Sequence, residues 1–535
     1  MHSVDVAGLL AELNQAADRG PTAGAATAAA PPDLLYRRFI VAALICTLTL
    51  GATFGAYNLA CIQLALGPIP PPHNWAHASF QILGFVLLFI MGVGYHVVPR
   101  FLATALAGRG FARASFWLVL TGIVLRLYGQ FGALLPATEQ AYFLGATSIV
   151  CGALAFAGVL AATWRRARPA FETFHAFLAA GTFFWVVAAA WTAAPPARHE
   201  VFYQSALFGG ALFWIQGMLL RIGRGFLGLQ PPRAWAVSVA FGLQVLGVAL
   251  ALAGRTAAPL STALGVVAFA VGARLLERRV HEQDPVFARI VAIAVGCSLL
   301  FAILAATWSG LALAGRPPPG LLWDGARHAF ALGFVTLMIF AVAGRVLPIF
   351  GGTDLAWPRL RAAGAWLIAL AVVGREMEVV AALGKAPALL ILSGVSGAIA
   401  AAGVALCSIS LLATLRRSGR PAAEQPTAMA AIDADANVAA LVSAHPELLA
   451  VLVGAGFTPL ANPIARRTIA RAITLRTASQ LHGIEVEQLL ERLRAACTHR
   501  PPRDDAPGLI PLSRLSLSSR TRSARPAGGP ASPAD

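Results

Sequence analysis

Residues 84–101 read GFVLLFIMGVGYHVVPRF, and residues 333–350 read GFVTLMIFAVAGRVLPIF. Half of the aligned positions are identical, including a proline near the end of each stretch. The same offset of 249 residues carries Arg126 onto Arg375, so one register covers two apolar segments and the loop between them. A fainter copy, GGALFWIQGMLLRIGRGF, begins at Gly209, which puts the repeat length at about 125 residues. The pattern predicts three units of four helices.

The composition identifies the class of protein. Of the 535 residues, 58% are hydrophobic and only 12% are charged, and the mean hydropathy is +0.70. Because soluble proteins need roughly twice that share of charged residues, we predict an all-α polytopic membrane protein. The net charge of +17 comes almost wholly from arginine, since Lys385 is the only lysine. Most arginines lie between apolar runs, which favours a bilayer over nucleic acid as the partner.

The apolar runs predict twelve membrane-spanning helices, because a hydrocarbon core of about 30 Å needs roughly 20 helical residues. The predicted cores are residues 39–64, 76–98, 113–135, 141–163, 172–193, 201–222, 234–253, 259–275, 290–314, 327–348, 361–383 and 388–412. Arginine is concentrated in alternate loops, beginning with Arg37 and Arg38 before the first helix. By the positive-inside rule, we expect both termini to lie in the cytoplasm, in a bacterial inner membrane.

Changes in composition divide the chain into five regions. We predict an N-terminal cytoplasmic segment and linker, a twelve-helix membrane domain, a second linker, a small helical cytoplasmic domain and a disordered tail, at residues 1–36, 37–415, 416–430, 431–498 and 499–535. In the small domain, Pro446 is predicted to begin one helix and Thr474 to cap the next. Its sequence resembles a small domain of unknown function that occurs beside iron–sulfur and redox proteins.

Three units of four helices resemble the catalytic subunit of haem-copper oxidases, in which histidines of helices 2 and 10 ligate haem in the outer half of the membrane. Here helix 2 carries His77 and helix 10 carries His328, both near the predicted external end. The stretches WAHASFQILGF, QGMLLRIGR and RHAFALGFVTLMIFAVAGRVLP further resemble the NnrS family, over roughly residues 37–412. That resemblance implies a haem- and copper-containing membrane protein linked to nitric oxide, nitrosative stress or denitrification.

One position departs from that family. Its helix 2 motif often has a histidine followed two residues later by Glu-Met, whereas this chain has Ser79 and Phe80. No acid–base role of that glutamate is therefore carried over.

His77 and His328 are the predicted axial ligands of a b-type haem. Inside hydrocarbon an imidazole needs a polar partner, and a neutral imidazole nitrogen is a good ligand for haem iron. The alternative is that each histidine bonds a backbone carbonyl or a hydroxyl such as that of Ser79. In the repeat register, His328 aligns with Ser79, so His77 lies half a turn away.

Two further histidines are candidates for copper. His73 precedes His77 by four residues, and the two would share a face if the helix began early; the prolines before it favour a loop instead. His199 opens helix 6, where the alternative is an interfacial pair or a helix-start contact. His96 and His175 are expected at the cytoplasmic side as interfacial or packing residues.

Two arginines are predicted to lie at the depth of the haem. Arg126 and Arg375 could bind its propionates bidentately. The alternative is an internal ion pair, for which Glu376 and Glu378 are available.

These residues leave three functions open. The first is a haem-binding protein of the NnrS type that interacts with nitric oxide or a redox partner. The second is a catalytic nitric oxide reductase or oxidase, which would need a second metal centre. The third is a haem-free solute or metal transporter.

Overall fold

The computed structural model describes residues 34–130, 137–193, 199–277, 284–384, 386–417, 432–457, 460, 470, 473–482 and 484–498. The predicted N-terminal segment, both linkers and the tail lie almost wholly outside these residues. A helix is present at each of the twelve predicted segments. They are α1 Leu35–Leu64, α2 Pro72–Phe101, α3 Arg109–Gln130, α4 Thr138–Ala167, α5 Thr173–Trp191, α6 His199–Leu227, α7 Ala234–Leu252, α8 Ala258–Gly272, α9 Pro285–Leu313, α10 Gly320–Gly351, α11 Pro358–Gly384 and α12 Pro387–Arg417.

Ten of these helices are long and apolar enough to cross a membrane, which confirms the polytopic all-α class. The other two are α8, which has 15 residues, and α11, which is interrupted by buried charges such as Arg375 and Glu378. Crossing by α8 and α11, and hence the total of twelve, stays a prediction.

The repeat is visible in the packing. The most apolar part of α2 is 100% buried and those of α6 and α10 are 78% buried, whereas no other candidate span exceeds 56%. Around these central helices, the most extensive helix pairs are α3 with α4, α7 with α8 and α11 with α12. Each unit of four helices therefore supplies one inner helix and one outer helix pair, as expected for three repeats of one structural unit.

The three inner helices share a local distortion that the sequence did not reveal. Each changes from α-helical to π-helical hydrogen bonding for about two turns, at Phe80–Leu87, Ser205–Ala211 and Ala329–Thr336. These segments recur at close to the repeat length. A further π segment, Thr47–Gly51, lies in α1. Since π segments often mark functional sites, their positions direct attention to the ends of α2 and α10 that carry the histidines.

Among its described residues, the C-terminal region forms four short helices: α13 Val438–Ala444, α14 Leu448–Gly454, α15 Leu475–His482 and α16 Val486–Thr498. They enclose a separate apolar core that includes Leu441, Leu452 and Leu493. The Thr474 hydroxyl accepts a hydrogen bond from the Thr477 N–H at 3.3 Å, as predicted for a cap. The helix that was predicted to begin at Pro446 begins two residues later.

Candidate functional site

A cavity of about 280 Å³ lies between α1, α2, α10 and α12. His77 and His328 both line it, together with Tyr203 of α6 and Arg375 of α11. Its volume is close to the lower end of the range of about 300–1,000 Å³ that is usual for small-molecule and cofactor sites. The repeat thus brings together two histidines that are far apart in sequence.

His77 is positioned by two glycines of α1. Its Nδ1 lies 2.6 Å from the carbonyl oxygen of Gly51, the last residue of the π segment in that helix. The ring packs directly on Gly55, where an added Cβ would lie 2.4 Å from Cε1 and 2.6 Å from Nδ1. Only glycine leaves room for the imidazole there. The two glycines lie four residues apart on one face of α1, and their contact with His77 was not predicted from the sequence.

His328 is positioned by Asp324, one turn earlier in α10. Its Nδ1 lies 2.8 Å from the Asp324 carbonyl oxygen. The Asp324 carboxylate accepts a hydrogen bond from Arg327 at 2.9 Å and another from Arg375. Asp324 was not among the residues predicted from the sequence, although an acidic residue four positions before a histidine on one helix face was a visible signal.

Both histidines therefore have the same hydrogen-bonding arrangement. A carbonyl oxygen can only accept, so Nδ1 of each ring carries the proton and donates it. The Nε2 atom then keeps its lone pair, which is the form of imidazole that ligates a metal. The backbone contacts that were the alternative to ligation are present, and they are compatible with ligation because they use Nδ1 alone.

The cavity walls suit a flat, apolar group. They contain several small residues that leave smooth surfaces on four helices, namely Ala52, Gly55, Ala56, Ala78, Ala331, Gly397 and Ala400. Polar side chains are interspersed with these, among them Asn58, Asn74 and Gln81, and the charged ones are Asp324, Arg327 and Arg375. Apolar wall residues, two imidazoles and two guanidinium groups match the chemistry of a haem, which has a hydrophobic ring, an iron and two carboxylates. The residues present fit that group.

Arg375 forms an internal ion pair, which was one of the two expectations for it. Its side chain is 8% exposed, and the guanidinium contacts the carboxylates of Asp324 and Glu378. Glu378 is fully buried and also accepts a hydrogen bond from Gln63 at 3.1 Å. Since Arg375 also lines the cavity, the ion pair leaves a propionate contact open.

Arg126, its partner in the repeat, has only neutral hydrogen-bond partners among the described residues. Its guanidinium donates to the Ser79 hydroxyl at 2.7 Å, to the Thr192 carbonyl at 3.1 Å and to the Tyr142 hydroxyl at 3.3 Å. It is buried but does not line the cavity.

The remaining histidines lie elsewhere. The prediction of a loop around His73 is wrong, because α2 begins before this residue. Proline is well suited to the first positions of a helix, where a backbone N–H has no acceptor within the helix. The His73 ring lies 4.9 Å from that of Phe54, and the His199 ring lies 5.5 Å from that of Trp75. Neither lines the cavity. His96 and His175 lie in two different aromatic clusters, so the structure does not pair them.

The fold is similar to that of a solved heme-copper terminal oxidase, which was determined as a dimer by cryo-EM. The two chains are 14% identical, with a TM-score of 0.53, over 87% of this chain and 100% of the oxidase chain. The membrane helices are therefore arranged like those of a heme-copper oxidase, as the three units of four helices implied.

A second match concerns the small domain. Residues 432–490 match a family model described as "Domain of unknown function (DUF1858)". This match confirms the resemblance expected for that region. A comparison with curated protein sequences finds no match.

Proposed function

We propose that this protein is a haem-binding integral membrane protein of the NnrS type, acting in nitric oxide, nitrosative-stress or denitrification metabolism. One observation carries the proposal: His77 and His328 line one cavity, each with Nδ1 on a backbone carbonyl. In the proposed site the Nε2 atoms of His77 and His328 would hold the iron of a b-type haem. That group would supply one-electron redox chemistry.

The chain's own residues have separate roles in this proposal. Gly51 and the Asp324 carbonyl hold the two imidazoles in one tautomer. Arg375 and Arg327 face the cavity and are the cations available to propionates; a contact by Arg126 would require a propionate to extend beyond the described cavity. Copper ligation by His73 or His199 remains a prediction, as do the twelve spans and the cytoplasmic termini.

The test is a reduced-minus-oxidised absorbance spectrum of the purified protein, with His77→Ala and His328→Ala variants. We expect a b-type Soret and α-band signal in the wild type and its loss in each variant. His96→Phe is the control, because it replaces a ring buried among aromatic side chains away from the cavity and should leave the signal unchanged. A wild-type protein without visible absorbance would favour the transporter, and a signal retained in both alanine variants would remove these ligands.

A further inference from the structure

A group of potential metal ligands lies outside the membrane helices. His445 follows α13, Glu447 precedes α14, and Cys497 lies in the last turn of α16. The Sγ atom of Cys497 is 3.8 Å from Nδ1 of His445, and a Glu447 carboxylate oxygen is 3.4 Å from the same nitrogen. One ligand atom from each residue lies within 4.8 Å of the other two, an arrangement found at one place among the described residues.

These separations agree with those in a tetrahedral metal site. With a Zn–S bond of about 2.3 Å and Zn–N and Zn–O bonds of about 2.0 Å, tetrahedral angles put sulfur and nitrogen about 3.5 Å apart and nitrogen and oxygen about 3.3 Å apart. The observed distances of 3.8 Å and 3.4 Å differ from these by only a few tenths of an ångström. The Cys497 sulfur and the Glu447 oxygen lie within 4.8 Å of each other, and rotation of the half-exposed Glu447 side chain would bring them closer.

The fold holds the three side chains together. Cys497 and His445 are 52 positions apart in sequence. They meet because α14 packs against α16 through the separate apolar core, with Leu448 and Leu493 both fully buried. The ligands themselves lie at the edge of this core, where the Glu447 side chain is 50% exposed and that of His445 is 23% exposed. A metal ion can therefore enter from solvent, and a water molecule can take a fourth position.

We propose that the C-terminal domain carries a zinc site formed by Cys497, His445 and Glu447. Sulfur, imidazole nitrogen and carboxylate oxygen together suit a borderline-soft ion such as Zn²⁺ better than Mg²⁺ or Ca²⁺, which prefer oxygen alone. On binding, the thiol releases its proton to solvent and the thiolate ligates the ion. The bound ion would fasten the end of α16 to the turn between α13 and α14. This site does not depend on the haem proposal.

The test uses the full-length protein in detergent, washed with chelator and then dialysed against Zn²⁺. We expect one tightly bound zinc per chain, with an X-ray absorption spectrum showing one sulfur neighbour at about 2.3 Å. In Cys497→Ser the sulfur neighbour should disappear. In Glu447→Gln, zinc affinity should fall by about tenfold or more, because a neutral amide replaces a carboxylate ligand.

Two matched controls separate this site from general binding. Cys151→Ser removes an exposed cysteine of α4, and Glu491→Gln removes an exposed carboxylate of α16; both should keep the wild-type zinc content and spectrum. Gel filtration and thermal unfolding of each variant report whether the chain is still folded. A wild type without a sulfur-ligated zinc, or a Cys497→Ser variant that keeps it, would overturn the proposal.

Discussion

Gly55 and His77 are in direct contact, and the contact admits no side chain at position 55. A Cβ there would lie 2.4 Å from the imidazole Cε1. We therefore predict that Gly55→Ala displaces the ring of His77 and lowers haem affinity by roughly tenfold to a hundredfold, because overpacking a well-filled site costs about 1–3 kcal/mol. Haem content per chain, measured by the pyridine haemochrome assay, checks the prediction.

The control for this change is Gly310→Ala in α9. An added Cβ at Gly310 meets nothing within 4 Å, so this variant makes the same chemical change in a helix without the contact. It should keep the wild-type haem content. Equal haem content in the two variants would mean that His77 does not need its present position.

The repeat and the apolar runs were sufficient to predict an all-α polytopic membrane protein built from repeated units, because hydrophobic length and internal similarity are properties of the sequence. The π segments were not predictable, since they depend on how α2, α6 and α10 pack at the centre. Gly51 could not be assigned for the same reason: its role comes from a carbonyl facing another helix.

The candidate site was predictable in part. His77 and His328 could be proposed because imidazoles are rare within apolar segments. The second ionic partner of Arg375 could not, since Asp324 is 51 positions away in sequence and reaches it only when α10 packs against α11. The C-terminal metal ligands were missed because His445 and Cys497 have no recognisable spacing and meet only in the folded domain.

Arg375 should contribute more to stability than Arg327. Replacing Arg375 with Met leaves the fully buried Glu378 carboxylate without its ionic partner, and removing one member of a buried pair costs about 3–5 kcal/mol. Arg327→Met is the matched control, because its pairs with Glu200 and Asp324 are both partly exposed and such pairs contribute about 1 kcal/mol or less. Thermal unfolding in one detergent compares the two variants. A larger loss for Arg327→Met would contradict this account of the ion pairs.

The number of spans can be tested at α8, the shortest of the twelve helices. If it crosses the membrane, residue 255 before it is external and residue 275 after it is cytoplasmic, since both termini are predicted to be cytoplasmic. Alkaline phosphatase fused to the chain truncated after residue 255 should be highly active, and the fusion after residue 275 should have low activity. Green fluorescent protein fused at the same positions should be dim after residue 255 and bright after residue 275. The same activity at both positions would exclude a crossing by α8 and reduce the count.

The charge of Asp324 should control the reduction potential of the proposed haem while its backbone holds His328. Asp324→Asn removes the carboxylate but keeps the carbonyl that binds His328 Nδ1, so haem content should be retained. Loss of a negative charge near the iron, with Arg375 left less compensated, disfavours the ferric state. The midpoint potential should therefore rise by roughly 59 mV, a tenfold change in a one-electron equilibrium.

Glu200→Gln removes a more exposed carboxylate from the other side of Arg327 and should shift the potential much less, because solvent screens it. Spectroelectrochemical titration measures both, and a potential that falls or stays constant in Asp324→Asn would place the haem away from this residue.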